Sequence, residues 1–202
     1  MNSSPHQINN QPHNKIWCGD KAVFMDRDGT IVEDVGYMNS PEQIKFIQGS
    51  IEAIKMLNQA GYKVVVITNQ AGVARGLVTE DMLQTIDKTM HKWILSGGAH
   101  LDGIYYCPHH PEHGVYPYKQ VCECRKPHTG LIKRAKRDLE IDLTQSFMIG
   151  DKATDVETGK RAGIKTVFVL SGHGNEEKAR ISEKPDHVAA NLLDAVKWVL
   201  GQ

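Results

Sequence analysis

Asp26 and Asp28 stand two residues apart at the end of an apolar run, Ala22 to Met25, in the stretch "AVFMDRDGTIVED". A carboxylate at a strand end can ligate Mg²⁺, a hard cation that takes oxygen ligands and leaves positions open for phosphate. It can also attack phosphorus and split one difficult step into two. A second carboxylate two residues on can protonate the departing oxygen and then take a proton from water. Two acids opening a solvated loop would be the plain alternative, but D-x-D-G-T directly after an apolar strand favours function.

Other polar residues fall at comparable positions. Thr68 and Asn69 end "VVVITN", where a hydroxyl and nearby amides can hold phosphoryl oxygens. Lys126 in "CRKP" can neutralise charge on a transferred group. Asp151 in "MIGDKATD" can supply a further Mg²⁺ oxygen, and Lys152 can order it or meet substrate; a helix N-cap is the other use of Asp151. Cys107-x-His109, twelve residues, then Cys122-x-Cys124 offer four N/S ligands, the number for tetrahedral Zn²⁺ in a closed structural site. His110 and His113 compete as ligands.

The elements that must carry these residues alternate in period. Strands are expected at residues 21–25, 63–68, 103–107, 146–151 and 166–170. Helices are expected at 50–60 (stopped by Gly61), from the Thr79 cap onward, from Thr129 to about 139, at 153–162 (stopped by Gly163) and at 191–200. Leu83, Ile86, Met90 and Trp93 should form the buried stripe of the second helix. This alternation predicts an α/β fold, a doubly wound and mostly parallel sheet with helices on both faces. Such sheets bind ligands beyond the carboxyl ends of their strands, where the acids, hydroxyl and lysine fall.

In that order, "DRDGT", "TN", Lys126 and "GDKATD" resemble the motifs of the haloacid dehalogenase superfamily of phosphatases, from about Lys21 to the C-terminus. The resemblance implies that Asp26 is the nucleophile, Asp28 the general acid/base, and that Thr68 and Lys126 stabilise the phosphoryl group. It implies Mg²⁺ on Asp26, Asp151 and the backbone carbonyl of Asp28. "DRDGTIVEDVGY", "TNQAGVARG", "GIYYCPHHPEHG" and "CECRKP" are similar, more narrowly, to sugar bisphosphate phosphatases of that superfamily. That likeness implies a substrate pocket lined by Asp34, Val35, Gly36 and Tyr37 and by Thr68, Asn69, Gln70 and Ala71. Arg125 would recognise the phosphate-bearing portion of the substrate. Histidinol-phosphate phosphatases share the acid pair and zinc loop, but Gly36–Tyr37 and "GVARG" favour the sugar enzymes. A receiver-type signalling domain also uses Asp, Thr, Lys and Mg²⁺, but Asp28 promotes turnover where a signal needs a lasting phosphate.

Composition sets the remaining bounds. The 202 residues suit one domain, expected at 21–202, after a polar tail (1–20) with too little to bury. Lys+Arg and Asp+Glu are 24 each, which gives no electrostatic footprint for nucleic acid or a membrane. With no signal-peptide core the chain is expected to be cytoplasmic, and nothing demands a partner, so a monomer is expected. Only about forty residues separate Asp28 from Thr68, one helix filling much of them, so no large cap domain fits and loops must set specificity. Cys18 receives no role.

Overall fold

A computed structural model describes residues 19–202; the remainder of the tail and Cys18 lie outside the described residues. The chain runs β1 (Ala22–Met25), α1 (Ser50–Gln59), β2 (Lys63–Asn69), α2 (Ala71–Ala74), α3 (Glu80–Ser96), β3 (Gly103–Cys107) and α4 (Gly130–Leu139). It continues through β4 (Phe147–Gly150), α5 (Ala153–Ala162), β5 (Lys165–Val169), α6 (Gly174–Glu177), β6 (His187–Ala189) and α7 (Leu192–Leu200). The strands form one sheet in the order β3-β2-β1-β4-β5-β6, every neighbouring pair parallel.

Alternation along β1 divides the core. Val23 and Met25 face one apolar cluster with Val64, Val66 and Ile149, packed against Ile54, Ile86, Met90, Val196 and Val199 from α1, α3 and α7. Ala22 and Phe24 face the other, with Val65, Ile67 and Met148 against Leu131, Ile132 and Ala135 of α4. Both faces of the central strands are therefore dry, which explains their β-branched runs. Each fully buried Val, Leu, Ile or Phe side chain contributes about 1.5–3 kcal/mol.

Between Asp28 and Thr68 the chain forms a short 3-10 turn (Pro41–Gln43), α1 and most of β2, leaving no room for a large cap. No helix among the described residues is long and apolar enough to cross a membrane.

Several local expectations need correction. Trp93 is 41% exposed, and Ile94 takes its place inside. The stripe 83, 86, 90, 94 follows the 3.6-residue turn, so the last step from Met90 is four residues, not three. Thr129 occupies the N-cap position of α4 without a side-chain cap bond, whereas Thr79 does cap α3 by accepting the Met82 N–H at 3.1 Å. Asp151 does not cap α5; the carboxylate of Asp155 accepts the Lys152 N–H there, at 3.0 Å. Gly19 and Asp20 fall within the expected tail, yet Asp20 pairs through its backbone with Glu140 and Asp142 at 3.1 and 2.9 Å. The three-residue β6 was not foreseen, because only Ala189 of it is buried.

Candidate active site

The strand order reverses direction at β1, so the crevice of the sheet opens beyond the carboxyl ends of β1 and β4. Met25 is in register with Ile149, and the Asp26 N–H donates to the Ile149 carbonyl at 3.0 Å. The acid after β1 and the acid after β4 are thereby set side by side. Carboxylate oxygens of Asp26, Asp151 and Asp155 all lie within 4.8 Å of one another, and all three residues are buried.

Lys126 sits among these acids. Its ammonium is 3.0 Å from Asp26 and 2.6 Å from Asp155, and the side chain is 1% exposed. The side-chain amide of Asn69, at the end of β2, holds the Lys126 backbone from both sides: its Nδ2 donates to the Lys126 carbonyl at 3.1 Å, and its Oδ1 accepts the Lys126 N–H at 3.0 Å. Burial opposes the charge on Asp26, but Lys126, Lys152 and the Arg27 N–H outweigh it and hold the carboxyl below its usual range. Burial also opposes the Lys126 charge, and Asp155 and Asp26 reverse that, raising its pKa. Asp151 has the opposite fate: burial, then Asp26 and Asp155, push it up to about 7. With all three acids ionised, the cluster carries more negative charge than Lys126, and Lys152 shared with Asp34, can offset. The donor set is all oxygen, so the residues fit a hard divalent cation.

Backbone close approach completes this pocket floor. The His173 N–H donates to Asp151 Oδ2 at 2.9 Å, and the Ser171 hydroxyl donates to the Gly29 carbonyl at 2.8 Å. Gly29 (φ 84°) and Gly172 (φ 57°) sit in the left-handed region, and a Cβ on either would come within 2.5 Å of the Asp151 carboxylate. Only glycine meets both demands.

Asp28 points elsewhere. Its carboxylate accepts the Gln70 amide at 2.8 Å, and the same amide group lies 2.9 Å from the Thr68 hydroxyl. The Arg27 guanidinium, 1% exposed, forks onto Asp28 through Nε and Nη2 and reaches Asp87 of α3 with Nη1 at 2.9 Å. A cavity of about 270 Å³ opens here, lined by Asp28, Asp34, Gly36, Tyr37, Asn69, Gln70, Ala71, Gly72, Lys152 and His173. Lys152 crosses it to Asp34 at 2.9 Å, and His173 Nε2 lies 3.4 Å from the same carboxylate. Burial works against the Lys152 charge, but Asp26, Asp151 and Asp34 more than compensate and raise its pKa.

Most of the foreseen pocket residues are thus brought to one cavity. Val35, Thr68 and Arg125 are not in the lining: Val35 is exposed, and Thr68 is buried against the Gln70 amide. The Arg125 guanidinium instead donates to the His109 carbonyl at 3.1 Å and lines a separate recess with Pro111 and His128. Sequence reasoning missed Asp155, Arg27, Asp87 and His173. The acid in "GDKATD" was a usable signal for Asp155; the others are joined only by the fold.

The second cluster lies where β3 leaves the sheet. Cys107, His109, Cys122 and Cys124 present ligand atoms within 4.8 Å of one another. The sulfurs are 3.1 to 3.5 Å apart, and His109 Nδ1 is 3.4 Å from Cys124. Tetrahedral Zn–S bonds of about 2.3 Å would set sulfurs roughly 3.7 Å apart, so this grouping is close to a closed zinc shell. Contact with Cys107 brings the Cys124 thiol down to about 5, and the same contact, followed by burial, drives Cys107 up. His110 and His113 stack on each other outside the shell, with ring centroids 4.5 Å apart.

A doubly wound sheet with buried acids and a lysine at its switch point defines the class, a haloacid dehalogenase-like hydrolase, and the family model for HAD-like hydrolases matches residues 123–195. The chain is 45% identical to the D-glycero-beta-D-manno-heptose-1,7-bisphosphate 7-phosphatase of Haemophilus ducreyi, over 90% of this chain and 99% of that one. It is 44% identical to the enzyme of the same name from Escherichia coli K12, over 89% and 87%. Among solved structures it is similar to the D,D-heptose 1,7-bisphosphate phosphatase of B. bronchiseptica complexed with magnesium and phosphate, with a TM-score of 0.80, 32% identity and coverage of 90% and 98%. The chain belongs to the D-glycero-beta-D-manno-heptose-1,7-bisphosphate 7-phosphatase family.

Proposed function

We propose that residues 21–202 form one catalytic unit that hydrolyses the 7-phosphate of D-glycero-D-manno-heptose 1,7-bisphosphate, releasing heptose 1-phosphate. The product would serve the synthesis of nucleotide-activated heptose for lipopolysaccharide or other glycans. The observation that carries this reading is the cavity that joins Asp28 to the Asp34–Tyr37 and Asn69–Gly72 loops, beside the ionised Asp26. The relatives' names specify the β anomer, and that is the anomer we assign to this substrate.

In this mechanism Asp26 attacks the 7-phosphoryl group while Asp28 gives its proton to the leaving carbon-7 oxygen. Asp28 then takes a proton from the water that hydrolyses the aspartyl-phosphate. Thr68 and Lys126 hold the phosphoryl oxygens, and Lys126 keeps Asp26 ionised. Asp26, Asp151 and the Asp28 carbonyl would hold Mg²⁺, with Asp155 adjacent; the ion supplies charge neutralisation and orientation of the phosphoryl group when bound. Cys107, His109, Cys122 and Cys124 would hold Zn²⁺ as a structural clasp.

Phosphate release from both heptose bisphosphate anomers, fructose 1,6-bisphosphate and histidinol phosphate, with Mg²⁺, tests the assignment. The β-heptose bisphosphate should be turned over best, leaving heptose 1-phosphate. Faster turnover of histidinol phosphate would overturn it.

A further inference from the structure

Arg27 is a fully buried cation with a divided allegiance. Two arms of its guanidinium fork onto the Asp28 carboxylate, with contacts of 3.0 to 3.2 Å, and the third meets Asp87 at 2.9 Å. Sixty residues separate Arg27 from Asp87, so only the packing of α3 makes the triad. That helix is a rigid mount: Leu83, Ile86, Met90 and Ile94 are buried along it. A buried ionic triad is a poor stabiliser compared with apolar residues of the same volume. It is a good device for fixing one orientation, because a planar fork clamps a carboxylate in its plane.

We infer that Asp87 is a positioning residue for phosphoryl transfer: it anchors Arg27, and Arg27 with Gln70 fixes the direction in which Asp28 delivers its proton. This rests on the reading of Asp28 as general acid. The Arg27 contact at 2.9 Å ties the Asp87 carboxylate to the triad, and its attraction opposes the rise in pKa that burial causes. Asp87 itself touches no reacting atom. Its loss should leave Asp26 able to attack while the leaving oxygen is protonated poorly.

Leaving-group dependence isolates that effect. 4-Nitrophenoxide departs without a proton, whereas the carbon-7 alkoxide of the heptose needs one. kcat/KM reports the steps through the first phosphoryl transfer. In Asp87→Asn, kcat/KM for heptose bisphosphate should fall about 10- to 100-fold, part of the roughly 100-fold or more that general acid catalysis supplies, since Asp28 itself remains. With 4-nitrophenyl phosphate the loss should be under about threefold, since no proton is required. Asp87→Glu, which keeps the charge, should recover most of the difference, and Asp87→Ser serves as a second neutral variant.

Equal losses on both substrates, or no loss on either, would reduce the triad to a structural ion pair and overturn the inference. Failure of both neutral variants to fold would overturn it too, by making Asp87 part of the scaffold. The wild-type rate separates the two questions. If heptose bisphosphate is not a wild-type substrate, the proposed function fails; the Asp87 comparison then stands on any alkyl phosphate the enzyme does hydrolyse.

Discussion

Replacing Lys126 by methionine keeps most of the side-chain volume and removes the charge that lies between Asp26 and Asp155. Breaking a buried ion pair by removing one partner costs about 3–5 kcal/mol. In a chain of this size 1 kcal/mol shifts the melting temperature by about 2–4 °C, so the loss should be roughly 6–20 °C at neutral pH in chelator. It should also depend on pH. Without Lys126 the buried carboxyls Asp26 and Asp155 titrate above their unfolded values. A folded pKa above the unfolded one means that the folded state holds protons the unfolded state has released, so the variant loses stability as pH rises above about 4, the unfolded carboxyl value. The gap between wild type and Lys126→Met should therefore widen from pH 5 to pH 8. Turnover should fall at least about 100-fold, the usual cost of losing a group that stabilises transferred charge. Circular dichroism melts in chelator at the two pH values, with phosphate release, provide the assay. Melting temperatures within 2 °C of wild type at pH 8 would refute the idea that Lys126 compensates the acid cluster.

Asp26→Asn should abolish phosphate release while the protein melts cooperatively, because the amide keeps the shape and lacks the nucleophile; near-normal turnover would rule out the covalent route. Asp151, up at about 7 in the cation-free protein, must lose its proton before it can ligate. Mg²⁺ affinity, read by titration against melting temperature, should therefore weaken up to about tenfold per pH unit below 7, as one competing proton requires. A pH-independent affinity between 5.5 and 8 would contradict that. Cys122→Ser should lower the zinc content of purified protein from about one per chain, and added Mg²⁺ should not restore substrate handling, since a hard cation does not replace a thiolate shell; full zinc in the variant would remove Cys122 from the set.

The legible features were those encoded by period and position. Continuous apolar runs marked β1, β2, β4 and β5, and the acids after β1 and β4 marked the carboxyl ends of the strands as the ligand side. What was not legible depends on partners far along the chain. Arg27, between two acids, reads as a solvated charge until α3 brings Asp87 to it. Asp155 reads as an acid suited to the first turn of a helix, and it does serve there; its bond to Lys126 crosses 29 residues of sequence. His173 follows an ordinary Ser-Gly turn, and the contacts of its backbone with Asp151 and of its ring with Asp34 show that the turn faces the site. Trp93 failed for a simpler reason, a helix phase that drifts by one residue over three turns.

The segment between β3 and α4 has one more consequence, for how such a protein can change. It is gathered at its base by four side chains and tied to β2 through Asn69, instead of being seated on an apolar core of its own. Val115, Tyr116 and Val121 accordingly stand 74%, 91% and 79% exposed. Substitutions at that tip leave the sheet and the acid cluster undisturbed. Selection can therefore rework the surface there at little cost to the packing of the sheet, because exposed positions away from buried contacts change stability little.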